Sequence, residues 1–246
     1  MVISVVIPCY NEEGNVARYE TELLRELDLS KNPYEIIFVD DGSVDNTYLE
    51  LEKLVKKYPN RLRMVQHEKN KGMACAIVSG INKARGEMLV TLDADLTFHP
   101  KDISKLLNVF SEEKADVVIG SHVLGGTQGI APYRVFLSRC CNFLYGILLG
   151  KNITAVSPIF RLYNTFHLKQ LNLNPRPKRQ GGFDINAEIL FRFLQQKKKV
   201  VEVPVMLGTR ISGVSKMNSL KATAMHLRML SKIFFWRVKS VISTEK

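Results

Sequence analysis

Three acidic loops each follow a short apolar run of the sequence. They are Pro8-Cys-Tyr-Asn-Glu12, Asp40-Asp-Gly-Ser-Val-Asp45 and Asp93-Ala-Asp95. Carboxylates that gather at one place repel one another unless a cation or hydrogen-bond donors compensate them. If the fold brings these loops together, the sequence therefore predicts a cation at that place.

Asp93-Ala-Asp95 is the sharpest of these elements. An extended D-x-D arrangement can bring one or both carboxylates to a hard divalent cation, which prefers oxygen ligands and leaves room for substrate phosphates. Such a cation offsets the charge of a diphosphate and the charge that develops on a leaving group. We therefore expect Asp93 and Asp95 to bind Mg²⁺ or Mn²⁺, with Asp41 in a similar setting upstream.

The elements that must position these loops alternate along the first 120 residues. Strands are predicted at Ile3–Ile7, Glu35–Val39, Leu62–Gln66, Glu87–Thr91 and Asp116–Ile119, and later at Lys199–Val205. Helices are predicted at Val16–Leu27, Asp45–Lys57, Met73–Lys83, Lys101–Phe110 and Asp184–Leu194. Short β-branched runs that alternate with helices indicate an α/β fold, a mostly parallel sheet flanked by helices. Ligands bind such sheets at the carboxyl ends of the strands, where the acidic loops lie.

Composition limits the partners and the compartment. The net charge of +11 implies an acidic partner: a phosphorylated ligand, an anionic membrane surface or nucleic acid. No nucleic-acid-binding motif occurs, so we expect no nucleic acid. The four cysteines form no disulfide pattern and indicate buried free thiols in a reducing cytosol. The longest strongly apolar run, Cys140–Gly150, is shorter than the ~20 residues of a membrane-spanning helix, so no spanning segment is expected.

The C-terminal region, Ser219–Lys239, has the pattern of a basic amphipathic helix. Its cations fall along one line at the helical period, and bulky apolar residues lie elsewhere on it. The cations are Lys221, Arg228, Lys232 and Lys239, and the apolar residues are Met229, Phe234, Phe235 and Trp236. Two interpretations stay open: contact with an anionic membrane surface, or packing on the chain's own domain with a solvated charged face.

Several motifs occur in a characteristic order. Val-Ile-Pro-Cys-Tyr-Asn-Glu, Val-Asp-Asp-Gly-Ser-x-Asp, Asn-Lys-Gly and Leu-Asp-Ala-Asp-Leu are followed by Val201-Glu-Val-Pro-Val205 and Arg210-x-x-Gly-x-Ser-Lys216. Over residues 2–216 the chain resembles the family 2 glycosyltransferases of GT-A fold, and within them the dolichyl-phosphate mannose synthase-like branch. The resemblance implies a GT-A domain at 1–216, with a nucleotide-sugar-binding half (1–120) and an acceptor half (121–216). Residues 217–246 would form the basic helix.

The resemblance also implies roles for individual residues. Pro8, Tyr10 and Glu12 would line the base and ribose pocket, and Asp41 would contact the base. Asp93 and Asp95 would lie at the ribose, the diphosphate and the metal, while Arg210, Ser215 and Lys216 would close over the diphosphate. Asn70-Lys-Gly72 would begin a helix whose amides face the ligand.

Three positions depart from the branch's pattern. Ala155 stands where an Asp is usual, Thr97 where a Gln often follows D-x-D, and His122 where an Arg often follows Gly-Ser. The identity of the donor sugar and of the acceptor therefore stays open.

The acceptor decides which further residues matter. A phosphate acceptor arrives mostly ionised and needs cations, which Arg134, Arg139 and Arg161, or Lys178 and Arg179, could supply. A hydroxyl acceptor needs a general base, for which Asp184 and Glu188, four residues apart on one helix face, are the catalytic candidates.

The expected reaction is an inverting, metal-dependent transfer from a GDP- or UDP-sugar to a polyprenyl phosphate, by a peripheral enzyme on the cytoplasmic face of a membrane. Two alternatives are transfer to a glycan or cell-surface polymer hydroxyl, and a non-catalytic homologue that binds nucleotide sugar.

Overall fold

A computed structural model describes most of the chain. The described residues are 1–128, 132–151, 153–175, 177, 182, 184–211, 224 and 227–237, without the side chains of 132, 134 and 135. No helix among these residues is both long enough and apolar enough to cross a membrane.

The centre of the molecule is a seven-stranded sheet in the order β3-β2-β1-β4-β6-β5-β7. Its strands are β1 (Ile3–Cys9), β2 (Tyr34–Asp40), β3 (Leu62–Gln66), β4 (Met88–Thr91), β5 (Val117–Ser121), β6 (Arg161–Asn164) and β7 (Val200–Pro204). β6 runs antiparallel to both of its neighbours, β4 and β5, and every other pairing is parallel. The expected mostly parallel sheet is confirmed.

Helices cover both faces of this sheet. They are α1 (Glu13–Arg18), α2 (Arg25–Leu29), α3 (Thr47–Lys57), α4 (Met73–Lys83), α5 (Ile103–Glu112), α6 (His122–Gly125), α7 (Pro132–Leu149), α8 (Thr165–Gln170) and α9 (Asp184–Gln195). A π-helical segment, Tyr19–Leu24, joins α1 to α2, and a 3₁₀ turn, Pro100–Asp102, precedes α5. Residues 227–237 are helical and are called the C-terminal helix below.

The alternation of side chains along the strands divides the core into two layers. Ile3, Val5 and Ile7 of β1 point into one layer with α1, α2, α3 and α5. Val6 points into the other, with α4, α7, α8, α9 and the C-terminal helix. Because strands covered on both faces bury side chains of either parity, their sequences read as continuous apolar runs.

The predicted elements of the first half are confirmed within a few residues, and β3 and α4 have the predicted bounds. β6 was not predicted, because a four-residue strand with Arg161 and Asn164 at its ends has no apolar run. The expectation that all thiols are buried is wrong. Cys9 and Cys75 are buried, but Cys140 is exposed on α7 and Cys141 is partly exposed; all four are free.

Candidate functional site

The strand register brings the acidic loops to one edge of the sheet. Cys9 pairs with Asp40 at the ends of β1 and β2, and the Asp41 amide donates to the Cys9 carbonyl at 2.8 Å. On the other side of β1, the Leu92 amide donates to the Val6 carbonyl at 3.1 Å. The segments that follow β1, β2 and β4 therefore leave the sheet side by side, as expected for parallel strands.

The loop after β1 is braced against the loop after β2. The Glu12 amide donates to Thr47 Oγ1 at 2.7 Å, and the Asn11 amide donates to Ser43 Oγ at 3.0 Å. The Val44 amide donates in return to Asn11 Oδ1 at 2.9 Å. Pro8, Tyr10 and Glu12 themselves are partly buried. Each therefore keeps surface at the rim, where a base or ribose would be held.

Asp41 is buried and already engaged. Its Oδ1 accepts from the Lys71 amide at 2.9 Å and lies 2.7 Å from His67 Nδ1, while its Oδ2 accepts from the Gly72 amide at 2.8 Å. Gly72 has φ 92°, a left-handed conformation that favours glycine. The amides of Lys71 and Gly72, just before α4, are thus turned to Asp41. Asp41 fixes the position of this loop.

Asp93 and Asp95 follow β4 and influence one another. Burial and the neighbouring Asp95 carboxylate raise the pKa of Asp93 from 3.8 to about 8; the Arg210 guanidinium opposes this shift and Glu12 adds to it. Asp95 Oδ1 accepts from both the amide (3.0 Å) and the hydroxyl (2.9 Å) of Thr97. Asp95 Oδ2 lies 2.5 Å from Arg210 Nη2. A cationic side chain thus already compensates one of the two carboxylates.

Two residues where α1 meets the π-helical segment hold the backbone of the loop that carries Asp93 and Asp95. Tyr19 Oη donates to the Ala94 carbonyl at 2.8 Å, and Arg18 Nη1 donates to the Asp95 carbonyl at 2.9 Å. Glu22 fixes the Arg18 guanidinium through two bonds of 2.8 and 2.9 Å. Burial raises the pKa of Tyr19 well above its usual value, so the hydroxyl stays protonated and donates.

No motif or spacing in the sequence indicates this role for Arg18 and Tyr19. The structural signal is the π-helical segment that starts at Tyr19, because such segments are frequent at functional sites.

The carboxylate oxygens of Asp93 and Asp95 suit a hard divalent ion that also binds a ligand. Among the described residues, no group of three His, Cys, Asp or Glu side chains is placed to hold a metal. Asp93 and Asp95 supply carboxylate oxygens only, and burial together with the neighbouring Asp95 raises the pKa of Asp93, so a bound cation would be needed to keep both groups ionised at neutral pH. Mg²⁺ and Mn²⁺ accept such oxygens, and Mg²⁺ in particular is bound by one or two carboxylates together with substrate phosphates.

Asp184 and Glu188 line a separate cavity of about 520 Å³ between α4, α9 and the C-terminal helix. Its lining includes Lys71 and Gly72, which hold Asp41, but neither Asp93 nor Asp95. Glu188 is ion-paired with Arg192 at 2.6 Å and with Lys232 at 2.9 Å. Both carboxylate oxygens of Glu188 are therefore engaged by cations, and Asp184 remains a candidate base.

The expected acceptor cations separate into three cases. Arg161 is fully buried, and its guanidinium donates to the carbonyls of Pro158 (2.9 Å), Asn186 (2.8 Å) and Val156. Its prediction as an acceptor ligand is therefore wrong: Arg161 ties α9 to the segment before β6. Arg139 is exposed on α7. The side chain of Arg134, and Lys178, Arg179, Ser215 and Lys216, lie outside the described residues.

The three departures from the family pattern have structural consequences. Thr97 caps Asp95, as described above. The Ala155 amide donates to the Glu202 carboxylate at 2.8 Å, as does the Thr154 amide, so a carboxylate from β7 lies beside this position. His122 is partly buried, and burial lowers its pKa, which favours the neutral ring over the cation that an arginine would supply.

The C-terminal helix is packed on its own domain over the described residues. Met229, Leu230 and Ile233 are buried in the second core layer. Lys232, one of the predicted basic stripe, is paired with Glu188 and lies 4.4 Å from the Trp236 ring centroid. Leu227, Phe234 and Phe235 nevertheless stay exposed. Lys221 and Lys239 lie outside the described residues.

Comparison with known proteins identifies the class to which this fold and site belong. Residues 4–171 match the model of the Glycosyl transferase family 2, and the chain belongs to this family. The fold is the GT-A fold. The glucosyl-3-phosphoglycerate synthase of Mycobacterium tuberculosis superposes with a TM-score of 0.69 at 19% identity, covering 94% of this chain and 78% of that one.

A Pyrobaculum calidifontis mannosyltransferase, solved with GDP-Man and Mn²⁺, gives a TM-score of 0.62 at 17% identity and covers 96% of this chain and 64% of that one.

Curated relatives fall within the expected branch. The chain is 34% identical to a dolichol-phosphate mannosyltransferase of Pyrococcus furiosus, over 96% of this chain and 64% of the relative. It is 31% identical to a polyprenol monophosphomannose synthase of Mycolicibacterium smegmatis, over 87% of this chain and 80% of the relative. The chain thus spans less than two thirds of the length of the Pyrococcus relative.

Proposed function

We propose that this protein transfers a sugar, with inversion, from a GDP- or UDP-sugar to a polyprenyl phosphate. The observation that carries the proposal is the Asp93–Asp95 pair at the carboxyl edge of the sheet, where burial and the charge of Asp95 raise the pKa of Asp93 and a cation would stabilise both carboxylates. Curated relatives are named for sugar phosphates of dolichol and polyprenol, which supports the class of acceptor.

Each part of the donor would have its own protein contacts. Pro8, Tyr10 and Glu12 would flank the base and ribose on the loop braced by Ser43 and Thr47. Asp41 would act through the 67–72 loop that it holds. Asp93 and Asp95 would hold Mg²⁺ or Mn²⁺ against the diphosphate, and this ion would neutralise the charge of the leaving nucleoside diphosphate.

Arg210 would move from Asp95 to the diphosphate, together with Ser215 and Lys216. A guanidinium fork matches phosphate oxygens as well as it matches a carboxylate, so the same side chain can serve both partners in turn. The 2.5 Å contact between Arg210 and Asp95 supports this role, because the cation then lies beside the carboxylate that would hold the ion before the donor arrives.

The cavity lined by Asp184 and Glu188 suits a phosphate acceptor. A phosphate oxygen is already ionised near neutral pH and attacks the anomeric carbon without a general base. The cavity beside Asp41 carries Lys71 and Asp184 in its lining, together with Arg192 and Lys232, which are both paired with Glu188. Of the predicted acceptor cations, Arg134 and Arg139 on α7 remain in the proposal.

The test is a transfer assay with a matched pair of acceptors. The chain is incubated with Mn²⁺, a panel of labelled GDP- and UDP-sugars, and either a short-chain prenyl phosphate or the prenol of the same length. We expect label in the organic phase with the phosphate only, and none with Asp95→Asn. Label on the prenol at a similar rate would favour a hydroxyl acceptor, such as a glycan or polymer. Absence of both transfer and donor hydrolysis, with donor binding intact, would favour a non-catalytic homologue.

A lipid acceptor implies work at a membrane, and we place the protein peripherally on a cytoplasmic face. The exposed Leu227, Phe234 and Phe235 of the C-terminal helix would contact the bilayer, while the opposite side of that helix stays packed on the domain.

A further inference from the structure

A chain of hydrogen-bonded side chains connects helix α4 to the carboxylate that follows β2. His67 Nδ1 lies 2.7 Å from Asp41 Oδ1, and His67 Nε2 lies 2.9 Å from Ser79 Oγ. His67 is 6% exposed and Asp41 is 3% exposed, whereas Ser79 is partly exposed on α4. The sugar transfer proposed above assigns no role to His67 or Ser79.

The partners of the imidazole ring determine what its two nitrogens do. A carboxylate only accepts hydrogen bonds, so His67 Nδ1 carries a proton and donates it to Asp41. The contact between Ser79 and Nε2 holds the ring from its other side, because the hydrogen bond at one ring nitrogen sets the role of the other. Ser79 therefore keeps the donor of His67 directed at Asp41.

The buried carboxylate of Asp41 depends on this donor. Three groups donate to it: His67 Nδ1 and the amides of Lys71 and Gly72. The two amides belong to the loop that Asp41 holds, whereas His67 directly follows β3 and its own amide donates to the Asp40 carbonyl at 2.9 Å. A buried charge that loses a donor is strongly destabilised. Without His67, Asp41 would turn towards water and release the two amides.

The loop before α4 supports the loops that would hold the nucleotide. Gly42 has φ 68°, and a Cβ at this position would lie 2.7 Å from the Asn70 nitrogen, so backbone packs on backbone here. The next residue, Ser43, accepts from the Asn11 amide at 3.0 Å, in the loop after β1. A shift of the loop before α4 would therefore reach the rim where a base and ribose would be held.

We propose that His67 is a positioning residue for the nucleotide of the donor: it fixes Asp41 and thereby the 67–72 loop, and Ser79 fixes the ring of His67. This inference rests on the proposed function. Asp93 and Asp95 contribute no atom to this chain of hydrogen bonds. Loss of the His67 donor therefore weakens the binding of a nucleoside diphosphate and leaves the binding of the metal ion alone unchanged.

The test compares two amide side chains at position 67. His67→Asn keeps a nitrogen donor at the place of Nδ1, whereas His67→Gln keeps a polar group at the place of Nε2 and loses the donor to Asp41. Calorimetric titrations with Mn²⁺ and either UDP or GDP measure the Kd of the nucleotide that the wild type binds. We expect His67→Gln to raise this Kd by about tenfold or more, and His67→Asn to change it by less than about twofold.

Two further variants complete the comparison. Ser79→Ala releases the ring and should raise the nucleotide Kd by about threefold to tenfold, the value of one neutral hydrogen bond. His99→Gln is the control at a partly buried histidine that caps the 3₁₀ turn before α5, and it should leave the Kd unchanged.

Positioning of the nucleotide is distinguished from general stabilisation of the fold by other measurements. In His67→Gln, the Kd of Mn²⁺ alone and kcat at saturating donor should match the wild type, so the loss should lie in the KM for the donor. A lower melting temperature with an unchanged nucleotide Kd would overturn the proposal, because His67 would then only stabilise the fold.

Equal losses in His67→Asn and His67→Gln would also overturn the proposal, since the donor to Asp41 would not be their cause. If His67→Gln did not fold, Ser79→Ala would decide, and an unchanged nucleotide Kd in that variant would overturn the proposal.

Failure of this inference and failure of the proposed function are separable, because nucleotide affinity is measured without an acceptor. Wild type that binds a nucleoside diphosphate but transfers no sugar would refute the proposed function, and the Kd values of the variants would still decide the role of His67. Wild type that transfers sugar, with His67→Gln binding the nucleotide equally tightly, would refute the positioning role alone.

Discussion

Arg210 Nη2 lies 2.5 Å from Asp95 Oδ2, so an arginine from beyond β7 occupies a carboxylate oxygen that the proposed divalent ion would need. The guanidinium and the metal ion compete for the same group while the donor is absent. Once a nucleotide sugar binds, its diphosphate offers Arg210 a second anionic partner and leaves Asp95 to the metal.

This relationship predicts opposite effects of one substitution. Arg210→Gln should tighten the binding of Mn²⁺ alone, because a competitor for Asp95 is lost. The same variant should weaken the binding of the donor with Mn²⁺ by roughly tenfold to a hundredfold, the value of one charged hydrogen bond to phosphate. Isothermal titration calorimetry measures both affinities. Arg25→Gln, at an exposed arginine of α2, is the control and should change neither. Parallel losses for metal and donor would contradict the competition.

The raised pKa of Asp93 predicts how metal binding depends on pH. Between pH 6 and about 8 the metal-free carboxyl is mostly protonated, so bound Mn²⁺ must displace its proton. Affinity should therefore rise with pH through this window, with release of roughly one proton per ion at its acidic end. Titrations in buffers of different ionisation enthalpy count the protons. A pH-independent affinity in the wild type would contradict the raised pKa.

The same pKa predicts a stability effect without metal. From pH 3.8 to about 8 the folded state holds a proton at Asp93 that the unfolded chain has released. The unfolded state binds fewer protons there, so this carboxyl lowers the free energy of unfolding progressively as pH rises through the window. Between pH 5 and pH 7.5, the free energy of unfolding of the wild type, measured in urea, should fall relative to that of Asp93→Asn. No change in that difference would contradict the prediction.

The cavity carboxylates distinguish the two classes of acceptor. If the acceptor is a phosphate, Asp184→Asn should reduce kcat by less than about tenfold, because no proton needs to be removed. If the acceptor is a hydroxyl, loss of the general base should reduce kcat by about 10²–10⁴-fold. Glu188→Gln should lower the melting temperature by breaking the pairs with Arg192 and Lys232, with little effect on kcat. Steady-state kinetics with the prenyl phosphate decides between these outcomes.

Arg161 is predicted to act through the fold. Arg161→Met would leave three buried carbonyls without their donor and should cost about 3 kcal/mol or more. In a chain of this size, that corresponds to a loss of about 6–12 °C in melting temperature. Arg25→Met is the matched surface control. A variant that melts like the wild type but has a raised KM for the acceptor would restore Arg161 as an acceptor ligand.

The parallel part of the fold could be predicted from the sequence, because buried strands appear as continuous apolar runs. The acidic loops could be recognised because they directly follow these runs. The sequence also predicted Asp93 and Asp95 beside one another at the sheet edge. It could not show that Asp41 is engaged by His67 and the 71–72 amides, since those bonds depend on the path of a loop.

Long-range contacts explain the remaining differences. Arg161 reads as a surface cation in sequence, but strand β6 places it inside the molecule. The C-terminal helix shows a basic stripe in sequence, yet Lys232 of that stripe turns towards Glu188. The more extensive exposed apolar face is on α7, where buried and exposed apolar residues cannot be told apart by hydrophobicity alone.

In the proposed reaction Asp95, with Asp93, holds a divalent ion against the donor's diphosphate. The most direct measurement is calorimetric titration of wild type and Asp95→Asn with GDP- and UDP-sugars, each with and without Mn²⁺. We expect one donor to bind the wild type tightly only when Mn²⁺ is present, and the Asp95→Asn protein to lose that metal-dependent gain. Binding of the donor that is equally tight without metal, or a full metal response in Asp95→Asn, would rule out this metal site.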